Sequence, residues 1–265
     1  MTYLIPLLTV LAMLLCTAPV QAALRTSAID YRQGDTALEG YLAYDDSVTG
    51  TRPGIIVVHE WKGITAYERG RAEQLARLGY VVLVADIYGK GVRPQSSEEA
   101  RKIAAIYREN RALMRARVQA ALEALRRSEL VDRSRIAAIG YCFGGTAALE
   151  LARSGADLAG VVSFHGGLAT PRPEDAKKIK GKVLVLHGGN DPNVPDPQLV
   201  AFMQEMRQAG VDWQVNIYGG AVHAFTNPAS GSNPASGAAY NERADRRSWQ
   251  AMRLFFDEIF KTARP

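Results

Sequence analysis

Short, continuous apolar runs recur along the chain and are separated by longer stretches in which apolar residues have helical spacing. Runs rich in valine, isoleucine and leucine are typical of strands that helices cover on both faces of a parallel sheet. The pattern predicts strands at Leu38–Ala43, Gly54–His59, Val81–Asp86, Arg135–Gly140, Gly160–Phe164, Lys182–His187 and Asp212–Tyr218.

The stretches between these runs are predicted helices. Residues 96–110 begin with serines and acids, which favour a helix start, and residues 111–128 carry leucine and valine at helical spacing. The remaining helical stretches are 66–79, 146–154, 196–210 and 244–261. This alternation predicts a single α/β domain with a mostly parallel central sheet flanked by helices.

Residues 1–22 have a different character. They carry no charged side chain, contain an apolar run from Leu4 to Leu15, and end with small residues at Val20 and Ala22. These features predict a secretory signal peptide cut after Ala22, and an exported domain of residues 23–265 that is periplasmic or secreted and does not stay in the membrane. An uncleaved anchor is the alternative, because no lysine or arginine precedes the apolar run.

Composition narrows the function classes. The chain has 265 residues, of which 47% are hydrophobic and 22% charged, as in ordinary globular proteins. Its net charge of +5 is mild, and its basic residues are mixed with acids, so nucleic-acid binding is not expected. Cleavage of the predicted signal removes Cys16 and leaves Cys142 without a disulfide partner. In an oxidising compartment a lone thiol persists when it is buried or has a chemical function.

Reactive side chains follow the predicted strands. Ligands of open α/β sheets bind at the carboxyl ends of the strands, where parallel strands meet at one edge. All four histidines lie at these ends or in the loops beyond them: His59, His165, His187 and His223. This clustering predicts a site at that edge, although His165 and His187 also suit structural roles.

The segment "GYCFGG", residues 140–145, has the glycine-bracketed pattern of a nucleophile elbow, with Cys142 at its apex. Side chains at Gly140 and Gly144 would collide with the neighbouring elements in so tight a turn. The cysteine would then lie at a helix N-terminus, which favours a thiolate, and the N–H of Phe143 would face a developing oxyanion.

Chain order extends this interpretation to a triad. Cys142, Asp191 and His223 occur in the order nucleophile, acid, histidine that is found in α/β-hydrolases. His223 would accept the thiol proton or activate water, and Asp191 would orient its ring. Asp196 is the alternative acid, but its position suits a cap for the following helix.

The motifs "VVHEWKGI", "ADIYGKG", "GYCFGG", "LHGGNDPNVP" and "HAFTNP" occur in this order, and together they make the chain resemble the dienelactone hydrolase family over about residues 25–262. The resemblance implies an α/β-hydrolase fold with the triad Cys142, Asp191 and His223. It also implies that Glu60 contacts the resting thiol, and that the N–H groups of Phe143 and Trp61 form the oxyanion hole.

Substrate-binding residues are less well defined. Tyr88 and His59 are candidates at strand ends, with a lining or supporting role as the alternative for His59. Members of the family bind a substrate carboxylate with an arginine after the tyrosine of "D-x-Y", whereas this chain has Lys90 there, which offers a point charge instead of a fork. The repeated "NPASG" of residues 227–237 is either a surface loop or a border of the site.

These features predict an enzyme that cleaves a small-molecule ester or lactone through a cysteine thioester. No cofactor or metal is expected, since zincin and phosphate-loop motifs are missing from the sequence, and a monomer is favoured. A thioesterase or peptidase on the same fold, or a pseudoenzyme that binds a small acid without turnover, are the alternatives. A thiol redox protein is disfavoured because there is no second cysteine in the predicted mature chain.

Overall fold

The computed structural model describes residues 23–261, which build one eight-stranded sheet in the order β1-β2-β4-β3-β5-β6-β7-β8. The strands are β1 (Leu24–Gln33), β2 (Thr36–Asp45), β3 (Arg52–Val58), β4 (Val81–Ala85), β5 (Val131–Tyr141), β6 (Gly160–Phe164), β7 (Lys182–Gly188) and β8 (Trp213–Tyr218). Strands β3 to β8 run parallel to one another, while β1 and β2 are antiparallel to their neighbours. The predicted α/β fold with a mostly parallel sheet is confirmed.

Strand β1 was not predicted from the sequence. It pairs with β2 from Leu24↔Asp45 to Gln33↔Thr36 across a tight turn, where Gly34 has a φ of 54°. Most of its side chains are exposed, so its sequence "LRTSAIDYRQ" lacks the apolar run that identifies the central strands. Pairing with β2, rather than local hydrophobicity, determines this strand.

Helices cover both faces of the sheet. They are α1 (Ala66–Ala76), α2 (Ser97–Glu109), α3 (Arg111–Arg126), α4 (Phe143–Arg153), α5 (Asp196–Ala209) and α6 (Glu242–Ile259). One apolar core lies between the sheet and α2, α3, α4 and α5, and the other lies between the sheet and α1 and α6. Because β3 to β7 are almost entirely buried between these layers, their carboxyl ends form a rigid edge for a site.

The predicted signal peptide, residues 1–22, lies outside the described residues. Within the part that the structure describes, no helix combines the length and the apolar character that a membrane span needs.

Candidate active site

Cys142 lies at the turn between β5 and α4. Its backbone has φ 53° and ψ −114°, a conformation that non-glycine residues seldom adopt and that clusters at functional sites. A Cβ atom at Gly140 would overlap the carbonyl of Gly144, and one at Gly144 would overlap the carbonyl of Val58. The two glycines therefore allow the close approach of strand and helix that raises Cys142 above the sheet.

Cys142, His223 and Asp191 form a continuous hydrogen-bonded row. The Nε2 atom of His223 is 3.0 Å from the sulfur of Cys142, and its Nδ1 is 2.8 Å from an oxygen of Asp191. Burial disfavours a charge on His223, but the adjacent Cys142 and the hydrogen bond to Asp191 outweigh it and raise the pKa of His223 to about 10. The arrangement favours a protonated imidazole beside the sulfur.

The two candidate acids occupy different environments. Asp191 follows β7 with a fully buried side chain, and its second oxygen accepts the N–H of Asn193. Asp196 is the first residue of α5, after Pro195. Of the two, Asp191 contacts His223, as chain order and distance from the strand end indicated.

The "NPASG" repeat borders the site. Its two copies form short 3-10 turns that start after Asn227 and Asn233. The loop then returns to His223, which donates its N–H to Gly237 and accepts the N–H of Ala239. These bonds fix the backbone of the histidine, so the loop supports the site.

Two residues that line the pocket with Cys142 have backbone N–H groups without a hydrogen-bond acceptor in the described part of the chain. The N–H of Phe143, at the start of α4, and that of Trp61, in the loop after β3, have no acceptor among residues 23–261. An oxyanion is stabilised by free N–H donors that point at its position. The structure thus leaves available the N–H groups that the sequence singled out.

Glu60 is hydrogen-bonded to Asn227. Its carboxylate accepts a hydrogen bond of 2.6 Å from the side chain of Asn227, and within the described residues the sulfur of Cys142 bonds only to His223. The hydrogen bond of Glu60 in this structure thus goes to Asn227 and not to the predicted partner Cys142. Burial, with a contribution from Glu68, raises the pKa of Glu60 to about 7.

His59 and Tyr88 hydrogen-bond to the backbone of the loop after β3. His59 is fully buried, donates from Nδ1 to the carbonyl of Glu60 and accepts the N–H of Ile87 at Nε2. The hydroxyl of Tyr88 donates to the carbonyl of Trp61. Neither side chain lines the pocket, so both act as supports of the loop after β3 and not as the predicted substrate-binding groups.

Lys90 lies away from the site. Its ammonium contacts Asp30 of β1 at 2.6 Å and Glu39 of β2 at 3.5 Å. The hairpin that the sequence did not reveal thus supplies its partners. The prediction that Lys90 binds the substrate is therefore wrong, because its charge pairs with acids at the edge of the sheet.

The pocket above Cys142 has a volume of about 520 Å³ and is cationic. Arg101 and Arg108 of α2 and Arg111 of α3 line it. No carboxylate among residues 23–261 forms an ion pair with any of the three. No local pattern distinguishes these arginines, because in the sequence they belong to a helical stretch of mixed charge.

Arg108 and Arg111 have further interactions in the pocket. The guanidinium of Arg108 lies 5.8 Å from the ring centre of Phe143. Burial lowers the pKa of Arg111, and the negative charge of Glu150 opposes this effect. The positive charges of Arg153, Arg108 and Arg115 lower the pKa further. A guanidinium repelled by its neighbours favours an anion in the pocket.

No metal centre is visible in the part of the chain that the structure describes. Within residues 23–261, no three histidine, cysteine or acidic side chains converge in a way that could hold a metal ion.

Known proteins resemble this chain over most of its length. Residues 38–260 match the dienelactone hydrolase family. A probable 2-oxo-3-(5-oxofuran-2-ylidene)propanoate lactonase of Bradyrhizobium sp is 32% identical over 215 residues, which cover 77% of this chain and 86% of that protein.

Two solved structures are similar in both fold and sequence. The protein m3DLH is 45% identical with a TM-score of 0.87, and the match covers 90% of this chain and 100% of that chain. A dienelactone hydrolase-like promiscuous phosphotriesterase from metagenomic libraries is 43% identical with a TM-score of 0.86, over 89% of this chain and 99% of that chain. The chain therefore belongs to the dienelactone hydrolase family of α/β-hydrolases and is an ester or lactone hydrolase.

Proposed function

We propose that this hydrolase cleaves its substrate through Cys142 as the nucleophile, with His223 as the proton carrier and Asp191 as the residue that orients it. The observation that carries the proposal is the row of two contacts, 3.0 Å from sulfur to Nε2 and 2.8 Å from Nδ1 to the carboxylate. His223 contacts both the nucleophile and the orienting acid, as the middle residue of a catalytic triad does.

The first half of the reaction is acyl transfer. The thiolate of Cys142 attacks the carbonyl carbon and forms a C–S bond, and the carbonyl oxygen becomes an oxyanion between the N–H groups of Phe143 and Trp61. The intermediate then collapses with cleavage of the C–O bond. His223 gives its Nε2 proton to the departing alkoxide, so the alcohol leaves neutral and a thioester remains on Cys142.

The second half returns the enzyme to its starting state. His223, now neutral, takes a proton from a water molecule, whose oxygen attacks the thioester carbonyl. The C–S bond breaks, the carboxylic acid is released, and the thiolate of Cys142 again faces a protonated His223. Asp191 keeps Nε2 directed at the reacting atoms through both halves.

The cationic pocket supports an anionic class of substrate. Arg108 and Arg111 lie where no carboxylate of the described chain pairs with them, so an anionic group on the substrate would supply the missing partner. Arginine binds carboxylate or phosphate oxygens with two parallel hydrogen bonds. The preferred substrate is therefore a small ester or lactone with an anionic group at some distance from the scissile carbonyl.

The decisive experiment traps the thioester. Purified enzyme is mixed with p-nitrophenyl acetate, quenched in acid and analysed by mass spectrometry of its peptides. We expect an acetyl adduct on the peptide with Cys142, and none in Cys142→Ala, which also loses turnover while its circular dichroism is unchanged.

Two outcomes would contradict the proposal. Full turnover by Cys142→Ala would exclude the thiol as the nucleophile. Binding of a small acid by the native protein with no turnover of any ester or lactone in an acidic and neutral panel would favour a pseudoenzyme.

A further inference from the structure

His165, a histidine outside the triad, contacts the backbone of the nucleophile. It follows β6, is 1% exposed, and its Nδ1 accepts the N–H of Cys142 at 3.1 Å. The same N–H also points at the carbonyl of Phe164, 3.0 Å away. The backbone N–H of Cys142 is thus shared between one main-chain and one side-chain acceptor.

Hydrogen bonding defines the tautomer of His165. Because Nδ1 accepts a hydrogen bond, the ring proton resides on Nε2, which donates to the hydroxyl of Thr226 at 2.7 Å. Burial, together with the nearby charge of His223, holds the pKa of His165 well below its ordinary value, so the ring stays neutral and Nδ1 stays an acceptor.

A buried network fixes Thr226 in turn. Its hydroxyl lies 2.6 Å from that of Tyr67, and its carbonyl accepts a hydrogen bond of 2.9 Å from Arg71, both residues of α1. Thr226 itself is fully buried and lies three residues after His223. Helix α1 therefore restrains the ring of His165 through a loop that also carries the catalytic histidine.

The bonded N–H lies on the strained residue that precedes the Phe143 peptide. The ψ angle of Cys142, −114°, sets the direction of the next peptide, and that peptide carries the N–H of Phe143. Since the backbone of Cys142 is in a costly conformation, it relaxes unless its neighbours hold it. The carbonyl of the Phe143 peptide is held from α4 by the N–H groups of Gly145 and Thr146, at 3.0 and 3.3 Å. The bond to His165 holds the other side of Cys142. If the strained residue relaxes on that side, the Phe143 N–H turns away from the oxyanion.

We infer that His165 is a positioning residue: by accepting the N–H of Cys142 it holds the strained elbow, and thereby keeps the Phe143 N–H aimed at the oxyanion. The inference rests on the proposed function of Cys142 as the nucleophile. The inference has a distinctive consequence. Reactions of Cys142 that form an oxyanion depend on Nδ1 of His165, whereas reactions of Cys142 that form no oxyanion are independent of it.

Two substitutions of His165 distinguish the role of Nδ1 from the role of Nε2. His165→Gln provides an amide where Nε2 lies and removes the acceptor for the Cys142 N–H, whereas His165→Asn provides an amide oxygen where Nδ1 lies. For p-nitrophenyl acetate we expect His165→Gln to lower kcat by about 10- to 100-fold with KM changed by less than about twofold, and His165→Asn to recover most of the loss.

Alkylation by iodoacetamide is the second readout. This reaction displaces iodide from a saturated carbon and forms no oxyanion, so its rate at Cys142 should be nearly the same in both variants as in the native enzyme. An equal loss of kcat in His165→Gln and His165→Asn, or an unchanged kcat in His165→Gln, would overturn the inference.

Thr226 provides an independent test in case a His165 variant does not fold. Thr226→Val removes the acceptor for Nε2, while Thr226→Ser keeps the hydroxyl. We expect Thr226→Val to lose about three- to tenfold in kcat relative to Thr226→Ser. Equal kcat values in this pair would overturn the inference, whereas an active Cys142→Ala would instead overturn the proposed nucleophile.

Discussion

Asn227 donates a hydrogen bond of 2.6 Å to the carboxylate of Glu60, joining the loop after His223 to the loop after β3. Glu60 is 9% exposed, and this bond stabilises its charged form against the larger effect of burial, which raises its pKa. Glu60 therefore takes up its proton near neutral pH.

This proton uptake predicts a pH-dependent stability. The pKa of Glu60 is about 7 in the native state and 4.5 ordinarily, so the native state holds the extra proton between these values. Its contribution to the free energy of unfolding is fully present below pH 4.5 and falls by about 3 kcal/mol as the pH rises through about 7. Glu60→Gln, which is neutral throughout, should lack this fall.

Urea unfolding at about pH 4.5 and about pH 8 measures the effect. The native protein should lose stability relative to Glu60→Gln at the higher pH, and the exposed control Glu98→Gln should not reproduce the change. The same difference between native protein and Glu60→Gln at both pH values would show that Glu60 titrates normally.

The two acids after β7 should differ sharply in their effect on activity. Asp191→Asn removes the charge that orients His223, and we expect kcat for p-nitrophenyl acetate to fall by about 10²- to 10⁴-fold. Asp196→Asn, at the start of α5, should stay within about twofold of the native enzyme. Losses from Asp191→Asn and Cys142→Ala should be far from additive. A silent Asp191→Asn would contradict the triad.

Arg108 and Arg111 should determine the preference for charged substrates. A guanidinium about 4 Å from a substrate anion contributes about 1 to 4 kcal/mol, so Arg111→Met should lower kcat/KM for a carboxylate-bearing ester by about tenfold to several hundredfold. A neutral ester of similar size should be affected little. Lys90→Met is the matched control, because its ammonium pairs with Asp30, and it should discriminate between neither substrate. Equal effects of Arg111→Met on both substrates would indicate a general esterase.

Two glycines that differ only in their surroundings test the elbow. Gly144→Ala would drive its Cβ into the carbonyl of Val58, and we expect little folded, active protein. Gly70→Ala lies within α1 with no atom near its new Cβ, and should raise the free energy of unfolding by about 0.5 to 1 kcal/mol. Thermal and urea unfolding with activity assays compare them. Native-like activity of Gly144→Ala would contradict the close contact.

The N-terminal segment carries a prediction of its own. We propose that export removes residues 1–22, because the short apolar run and the small residues Val20 and Ala22 suit a signal peptidase. Protein recovered from the periplasm or medium should then begin at Ala23 on N-terminal sequencing. Exported protein that starts at Met1 would instead favour a retained anchor.

The sequence by itself determined the central sheet and the candidate triad. Strands such as β4 and β6 are continuous apolar runs because both of their faces are buried. Burial of both faces requires apolar residues at consecutive positions, and the local sequence shows them. The spacing of Gly140, Cys142 and Gly144 also identifies the elbow locally, since only glycine fits the two close approaches. Asp191 and His223 follow from chain order, because successive parallel strands end at one edge.

Only the tertiary structure decided which charged side chains and which positioning residues lie at the carboxyl ends of the strands. Strand β1 is recognised by its pairing with β2, and its Asp30 holds Lys90 away from the pocket. Arg111 resembles any helical arginine until the packing of α2 and α3 turns it toward Cys142. The bond from Cys142 to His165 likewise joins positions far apart in the chain, and no local pattern encodes such a contact, because it depends on how separate elements pack together.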